Sequence, residues 1–82
     1  MNITLTQLEY LLAIDTYRHF AKAADACLVT QPTLSMQLKK LEEELGVDIF
    51  DRSKQPIIPT DAGVKIIEQA RMVLREAKKI EH

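Results

Sequence analysis

FAKAADACLVTQPTLSMQLKKLEEEL, residues Phe20 to Leu45, is the stretch on which the fold turns. Its first part places Phe20, Ala23, Ala24, Cys27 and Leu28 at i, i+3, i+4, i+7 and i+8, with Lys22 and Asp25 on the other side. That is the period of a short amphipathic helix, and its alanines let a second helix approach closely. Val29 and Thr30 form a turn, and Thr30 is the natural N-cap of the helix that follows. Pro32 falls in that helix's first turn, where a missing N–H has no partner to lose. Leu34, Leu38, Leu41 and Leu45 then recur at alternating spacings of four and three, a single stripe facing a core. The outer side of the first turns carries Thr33, Met36, Gln37 and Lys40.

On the N-terminal side, Thr4 and Gln7 form the T-x-x-Q of a capping box, followed by an apolar face of Leu5, Leu8, Leu11, Leu12 and Ile14 that ends near Tyr17. On the C-terminal side, Gly46 is placed as a C′ glycine that stops the helix. The period then changes. Asp48 to Ser53 and Ile57 to Pro59 are short β-prone pieces separated by Lys54, Gln55 and Pro56, which predicts a small hairpin, and its prolines confine it to an edge. Thr60 caps a fourth helix from about Asp61, in which Ile66, Ala70, Val73, Ala77 and Ile80 repeat as a heptad seam beside a second stripe of Ile67 and Leu74. One stripe can pack on its own domain and the other on a twin. The expected fold is mainly α, a winged helix-turn-helix: a three-helix core with a β-hairpin wing over residues 1–60, its helix-turn-helix at about 20–39, and a linker and dimerisation helix over 61–82.

The chain of 82 residues is short enough to bury only about 60–65% of its unfolded surface, so dense helix packing or a partner chain would help it. Apolar residues make up 46% and charged residues 28%, a balance that excludes a disordered chain. No apolar run approaches the ~20 residues of a membrane span, and no signal peptide precedes the first helix. The single cysteine, Cys27, excludes an intramolecular disulfide and suits a reducing cytoplasm. On the apolar stripe of its helix it reads as a small hydrophobe and not as a redox centre. One Cys and two His provide no metal cluster, and no nucleophile–base pair, acid pair or phosphate loop is present, so neither an enzyme nor a cofactor is expected.

The net charge of −1 hides an uneven distribution. Arg18, Lys22, Lys39 and Lys40 face Asp25 alone within residues 17–40, positive charge returns at Arg52 and Lys54, and Glu42, Glu43, Glu44 and Asp48 crowd the stretch between. Local field, more than total charge, sets attraction to phosphates. A rigidly held helix with small polar and basic residues outward fits the major groove of double-stranded DNA. Gln31 is then placed to hydrogen-bond a base edge, and Pro32 and Thr33 to touch thymine methyls, beside the cap Thr30. Gln37 is a candidate for a base, Ser35 for a phosphate, and Lys39 and Lys40 for further phosphates. Met36 offers a thioether that reads little by hydrogen bonding but can pack on a methyl. The glutamate run would repel phosphates, which narrows the reading surface to Gln31 through Lys40. Arg52 read by itself is a surface salt-bridge residue paired with Asp51, and His19 begins the short helix.

The run AKAADACLVTQPTLSMQLKKLEEELGVDIFDRS, followed by the T-x-A-G of Thr60–Gly63, resembles the N-terminal domain of LysR-type transcriptional regulators over essentially the whole chain. The pieces Arg18–His19–Phe20, Gln31–Pro32–Thr33–Leu34–Ser35 and Gln69–Ala70–Arg71 are most similar to the peroxide-sensing branch of that family. The resemblance implies sequence-specific binding of double-stranded DNA by a homodimer, with paired fourth helices, recognition helices in successive major grooves and wings near the flanking minor grooves. It implies that Arg52, within its acidic–Arg–Ser pattern, contacts DNA from the wing with Lys54 assisting through phosphates. It also implies a sensing domain that larger members carry after this segment, and assembly of the whole protein into tetramers. The alternative is a protein-interaction module that dimerises through the fourth helix without reading DNA. The polar outer face of the third helix argues against it, since a partner-binding surface should be more apolar.

Overall fold

In a computed structural model, residues 2–81 are described and form α1 (Leu5–Tyr17), α2 (Phe20–Cys27), α3 (Gln31–Leu45), β1 (Phe50–Asp51), β2 (Ile58–Pro59) and α4 (Asp61–Ile80). The expected extension of the last helix to residue 82 ends outside the described residues. Each boundary has a local cause. Thr4 and Gln7 close a reciprocal capping box at the start of α1, and Arg18 in the left-handed region ends it. His19 caps α2 through its ring nitrogen, which accepts from the N–H of Lys22 at 3.2 Å. Thr30 caps α3, and Gly46, with φ of +73°, terminates it.

The core is one cluster drawn from every helix and the wing: Leu8, Leu11 and Ile14 of α1, Ala23 and Ala24 of α2, Leu34, Leu38 and Leu41 of α3, then Ile49, Phe50, Ile57, Ile67 and Ala70. Helix α1 packs against the other three helices. Two residues depart from the expected apolar faces. Leu28 is not part of the α2 stripe: it is the left-handed C-cap, φ +59°, and 92% exposed. The helix stops one residue earlier than the periodicity suggested, and the backbone turn carries the side chain outward. Leu5, at the start of α1, is also exposed, on the rim of a groove it shares with Leu12 and with Leu74 of α4.

The wing is shorter than the β-prone pieces predict. Only Phe50–Pro59 and Asp51–Ile58 pair, antiparallel, while the rest of the expected strands is turn or coil. Its base is fixed by Thr60, whose N–H donates to the Ile49 carbonyl at 2.9 Å and whose hydroxyl donates to the Asp48 carbonyl at 2.6 Å while accepting from the N–H of Gly63. Gly63 lies directly on this junction. A Cβ there would sit 1.9 Å from the Ile49 carbonyl oxygen, so only glycine lets α4 start against the wing. That requirement explains the T-x-A-G pattern physically.

Helix α4 lies along α1 through Ile67 and Ala70, with Ile66 and Leu74 partly buried beside them. Ala70 therefore corrects the proposed seam. At 2% exposure it belongs to the chain's own core, on the edge of the stripe that faces α1. Val73 and Ile80 are exposed and Ile66 and Ala77 half-buried along the adjoining face.

Candidate nucleic-acid interface

Helix α3 is held from behind by Leu34, Leu38 and Leu41, each essentially without solvent contact. Helical geometry then fixes what its other sides present. Pro32, Met36 and Lys40 lie opposite the leucine stripe and are exposed, as are Gln31 and Lys39. Thr33, Ser35 and Gln37 are half-buried at the flanks, Ser35 toward the wing and Gln37 toward α1. The first turn contains no acidic residue, so the positive end of the helix dipole is not neutralised there. The Thr30 hydroxyl accepts from the N–H of Thr33 at 3.4 Å and donates to the Thr33 hydroxyl at 2.9 Å. Both threonine hydroxyls are thereby engaged in the cap.

The flanks of α3 are tied to neighbouring elements by contacts that the sequence pattern did not reveal. Toward the wing, Glu42 is the hub, with its side chain 11% exposed. One carboxylate oxygen accepts from the N–H of Ile49 at 2.7 Å and the other from Nη2 of Arg52 at 3.1 Å. The Arg52 guanidinium also lies over the ring of Phe20, 5.2 Å from its centroid, so α2, α3 and the wing meet at one cation. This corrects the expected Arg52–Asp51 pair. Asp51 instead accepts from the N–H and hydroxyl of Ser53. Those two hydrogen bonds, hydroxyl first, and then nearby Lys54, hold its carboxyl below the usual range.

The glutamate run is corrected in the same way. Glu42 faces inward, and Glu44 accepts from the backbone N–H of Asn2 at 2.8 Å, so two of the three carboxylates serve as struts. Beyond Lys40, the later turns of α3 are thus tied to the wing through Glu42 and to the N-terminal segment through Glu44. Arg18 also leaves the expected basic patch: with Arg71 of α4 it pairs with Asp15, at 2.9 and 2.7 Å, locking the end of α1 onto α4. Lys22, Lys39, Lys40 and Lys54 are exposed and supply the positive surface.

On the α1 side, the buried Gln7 donates from Nε2 to Oε1 of Gln37 at 3.3 Å. The Thr4–Gln7 capping box was legible in the sequence. That the same Gln7 side chain also reaches α3 was not, because the two glutamines are 30 residues apart. Cys27 is half-buried against the core, and burial, followed by the charge of Glu9, pushes its thiol up, away from the reactive thiolate. Among the described residues no cluster of ligating side chains could hold a metal ion, and no helix is long and apolar enough to cross a membrane.

Residues 5–64 match the family model described as bacterial regulatory helix-turn-helix protein, lysR family. The hydrogen peroxide-inducible genes activator of Pectobacterium carotovorum subsp. carotovorum is 51% identical over 76 residues, covering 93% of this chain and 25% of that protein. The chain thus spans about a quarter of the length of the curated relatives it matches. Full-length OxyR C199D from Pseudomonas aeruginosa superposes with a TM-score of 0.93 at 48% identity, over 98% of this chain and 27% of that one. The BenM_DBD/benA site 1 DNA complex superposes with a TM-score of 0.92 at 33% identity, over 95% and 88% of the two chains.

Proposed function

The chain belongs to the lysR family of bacterial regulatory helix-turn-helix proteins, and on that premise we propose that it is the DNA-reading domain of a transcriptional regulator serving a hydrogen-peroxide response. The observation that carries the reading is the first half of α3: polar, basic and free of carboxylates outward, and rigidly backed by buried leucines. The superposed BenM domain is bound to DNA, and a likeness of this degree supports the same use of α3 here.

In this reading α3 enters the major groove by its N-terminal turns. Gln31 and Gln37 meet base edges, Pro32 and the methyl of Thr33 meet thymine methyls, and Thr30, Ser35, Lys39 and Lys40 border the phosphates. Arg52 acts first as a strut between Glu42 and Phe20, and its exposed part, with Lys54, adds a phosphate contact from the wing. Two copies pair through the accessible face of α4, along Ile66, Val73, Ala77 and Ile80, so that two α3 helices reach neighbouring grooves of one duplex. In the whole cytoplasmic regulator these dimers associate as tetramers. The peroxide assignment is supported by the 51% identity to an activator of peroxide-inducible genes.

Titration of a preferred and a scrambled duplex at two salt concentrations tests the proposal. Affinity for the preferred duplex should fall by about 10³-fold or more between 50 and 200 mM salt if six or more phosphates are neutralised per dimer. Salt-insensitive binding, or equal affinity for both duplexes, would overturn it.

A further inference from the structure

Gln37 does not reach the surface as an unconstrained amide. Gln7, only 7% exposed, joins it from α1 through the 3.3 Å hydrogen bond from Nε2 of Gln7 to Oε1 of Gln37. The polarity of that contact is forced from its far end. The backbone N–H of Thr4 can only donate, and it donates to Oε1 of Gln7 at 3.0 Å. In return Oγ1 of Thr4 accepts from the backbone N–H of Gln7 at 3.1 Å, completing the capping box. The box therefore engages the carbonyl half of the Gln7 amide and leaves its NH2 half facing α3. An amide nitrogen donates and does not accept, so Gln37 must answer with its carbonyl oxygen. What Gln37 retains for a ligand is its own NH2.

A glutamine with both halves free reads adenine by accepting from N6 and donating to N7. One whose carbonyl is turned to a buried partner on α1 leads with its NH2, and the accepting half of that code is directed away from the groove. The geometry points to Gln7 as a specificity-determining positioning residue: by holding the carbonyl of Gln37 it makes Gln37 a donor-only reader of DNA. Its matched edge is that of guanine, where N7 and O6 both accept, and it is mismatched to adenine, whose N6 amino group would oppose a second donor. The inference rests on the reading of α3 as a major-groove helix with Gln37 facing a base.

Gln7→Glu inverts the relay while preserving the cap. A carboxylate accepts from the Thr4 N–H as the amide carbonyl does, but its second oxygen also accepts. Gln37 must then turn its NH2 inward and its carbonyl outward. Relative affinities for all four base pairs are measured at each position of a duplex selected from a randomised pool by the native protein. The native chain is expected to prefer guanine over adenine about tenfold at one position per half-site, and Gln37→Ala to erase that preference. Gln7→Glu should move the preference to bases with an exposed amino group, adenine or cytosine. Gln7→Met, which frees the Gln37 amide to rotate, should bring guanine and adenine near parity. The ratio is the readout because the added charge of Gln7→Glu weakens every duplex alike, and a packing role for Gln7 would change affinity without changing the ratio. If Gln37→Ala leaves all base preferences intact, Gln37 is not a base reader and the underlying reading of that residue falls. If it erases a preference that is for adenine, or one that the Gln7 variants retain, Gln37 reads DNA but Gln7 does not set its polarity, and this inference alone falls. Gln7→Met carries the same decision if the glutamate variant does not fold.

Discussion

Glu42 illustrates how one side chain changes role between a sequence and a structure. As a member of Glu42–Glu43–Glu44 it reads as a solvated charge that limits DNA approach. Folded, it satisfies the N–H of Ile49, a residue with no solvent contact, and holds Arg52 over Phe20. Removing its carboxylate leaves a buried donor without a partner, a loss of about 1–3 kcal/mol. Glu42→Ala should therefore lower the melting temperature by several degrees, since ~1 kcal/mol corresponds to about 4–8 °C in a domain of this size. Amide exchange at Ile49 should accelerate as well. An unchanged melting temperature with Ile49 still protected would mean that the hub contributes nothing. The Arg52–Glu42 pair itself adds little, because Arg52 is half in water.

Among the elements, α4 divides its duties by face. Its inner face, through Ile67 and Ala70, completes the core against α1. The adjoining face keeps Val73 and Ile80 accessible. The two faces make separable predictions. Val73→Glu should leave the monomer folded, with an unchanged circular dichroism spectrum, and shift sedimentation from dimer to monomer. Ala70→Glu should instead unfold the chain, because it would force a carboxylate into the apolar core between α4 and α1. A Val73→Glu variant that still sediments as a dimer would remove α4's accessible face from the interface. The short wing depends on its neighbours throughout. Two paired residues per strand cannot hold a hairpin alone, so Thr60, Gly63 and Glu42 anchor it from three sides.

At the scale of the molecule, one copy offers a reading helix only a few turns long, on a domain with extents of 39 × 26 × 20 Å. In the proposed dimer, specific affinity depends on two such helices meeting half-sites on the same face of one duplex. Inserting about five base pairs, half a helical turn, between the half-sites should reduce affinity to that of a single half-site, and inserting about ten should restore part of it. Equal affinity for all three spacings in an electrophoretic or fluorescence titration would argue that each copy binds alone.

The helices, several of their caps and most of the faces of α2 and α3 were legible in the sequence because they follow from interactions within one or two turns. Thr4–Gln7, Thr30, Gly46 and the leucine stripe needed no knowledge of the rest of the chain. The wing was legible as a hairpin but not in its extent, since β-propensity does not say how many residues a partner strand will pair. Of the candidate reading residues, the exposed Gln31, Pro32, Lys39 and Lys40 stand where the helical period places them.

The sequence by itself determined the order of the helices, the buried stripe of α3 and the polar character of its outer face, encoded chiefly in spacings of three and four. Only the tertiary structure decided that Gln7 meets Gln37 across 30 residues, that Asp15 meets Arg71 across 56, that Arg52 turns to Glu42 instead of Asp51, and that Ala70 points into the core. Those contacts depend on how helices cross and on which flank each crossing covers, and crossing angles are set by the packing of whole faces and not by any local pattern.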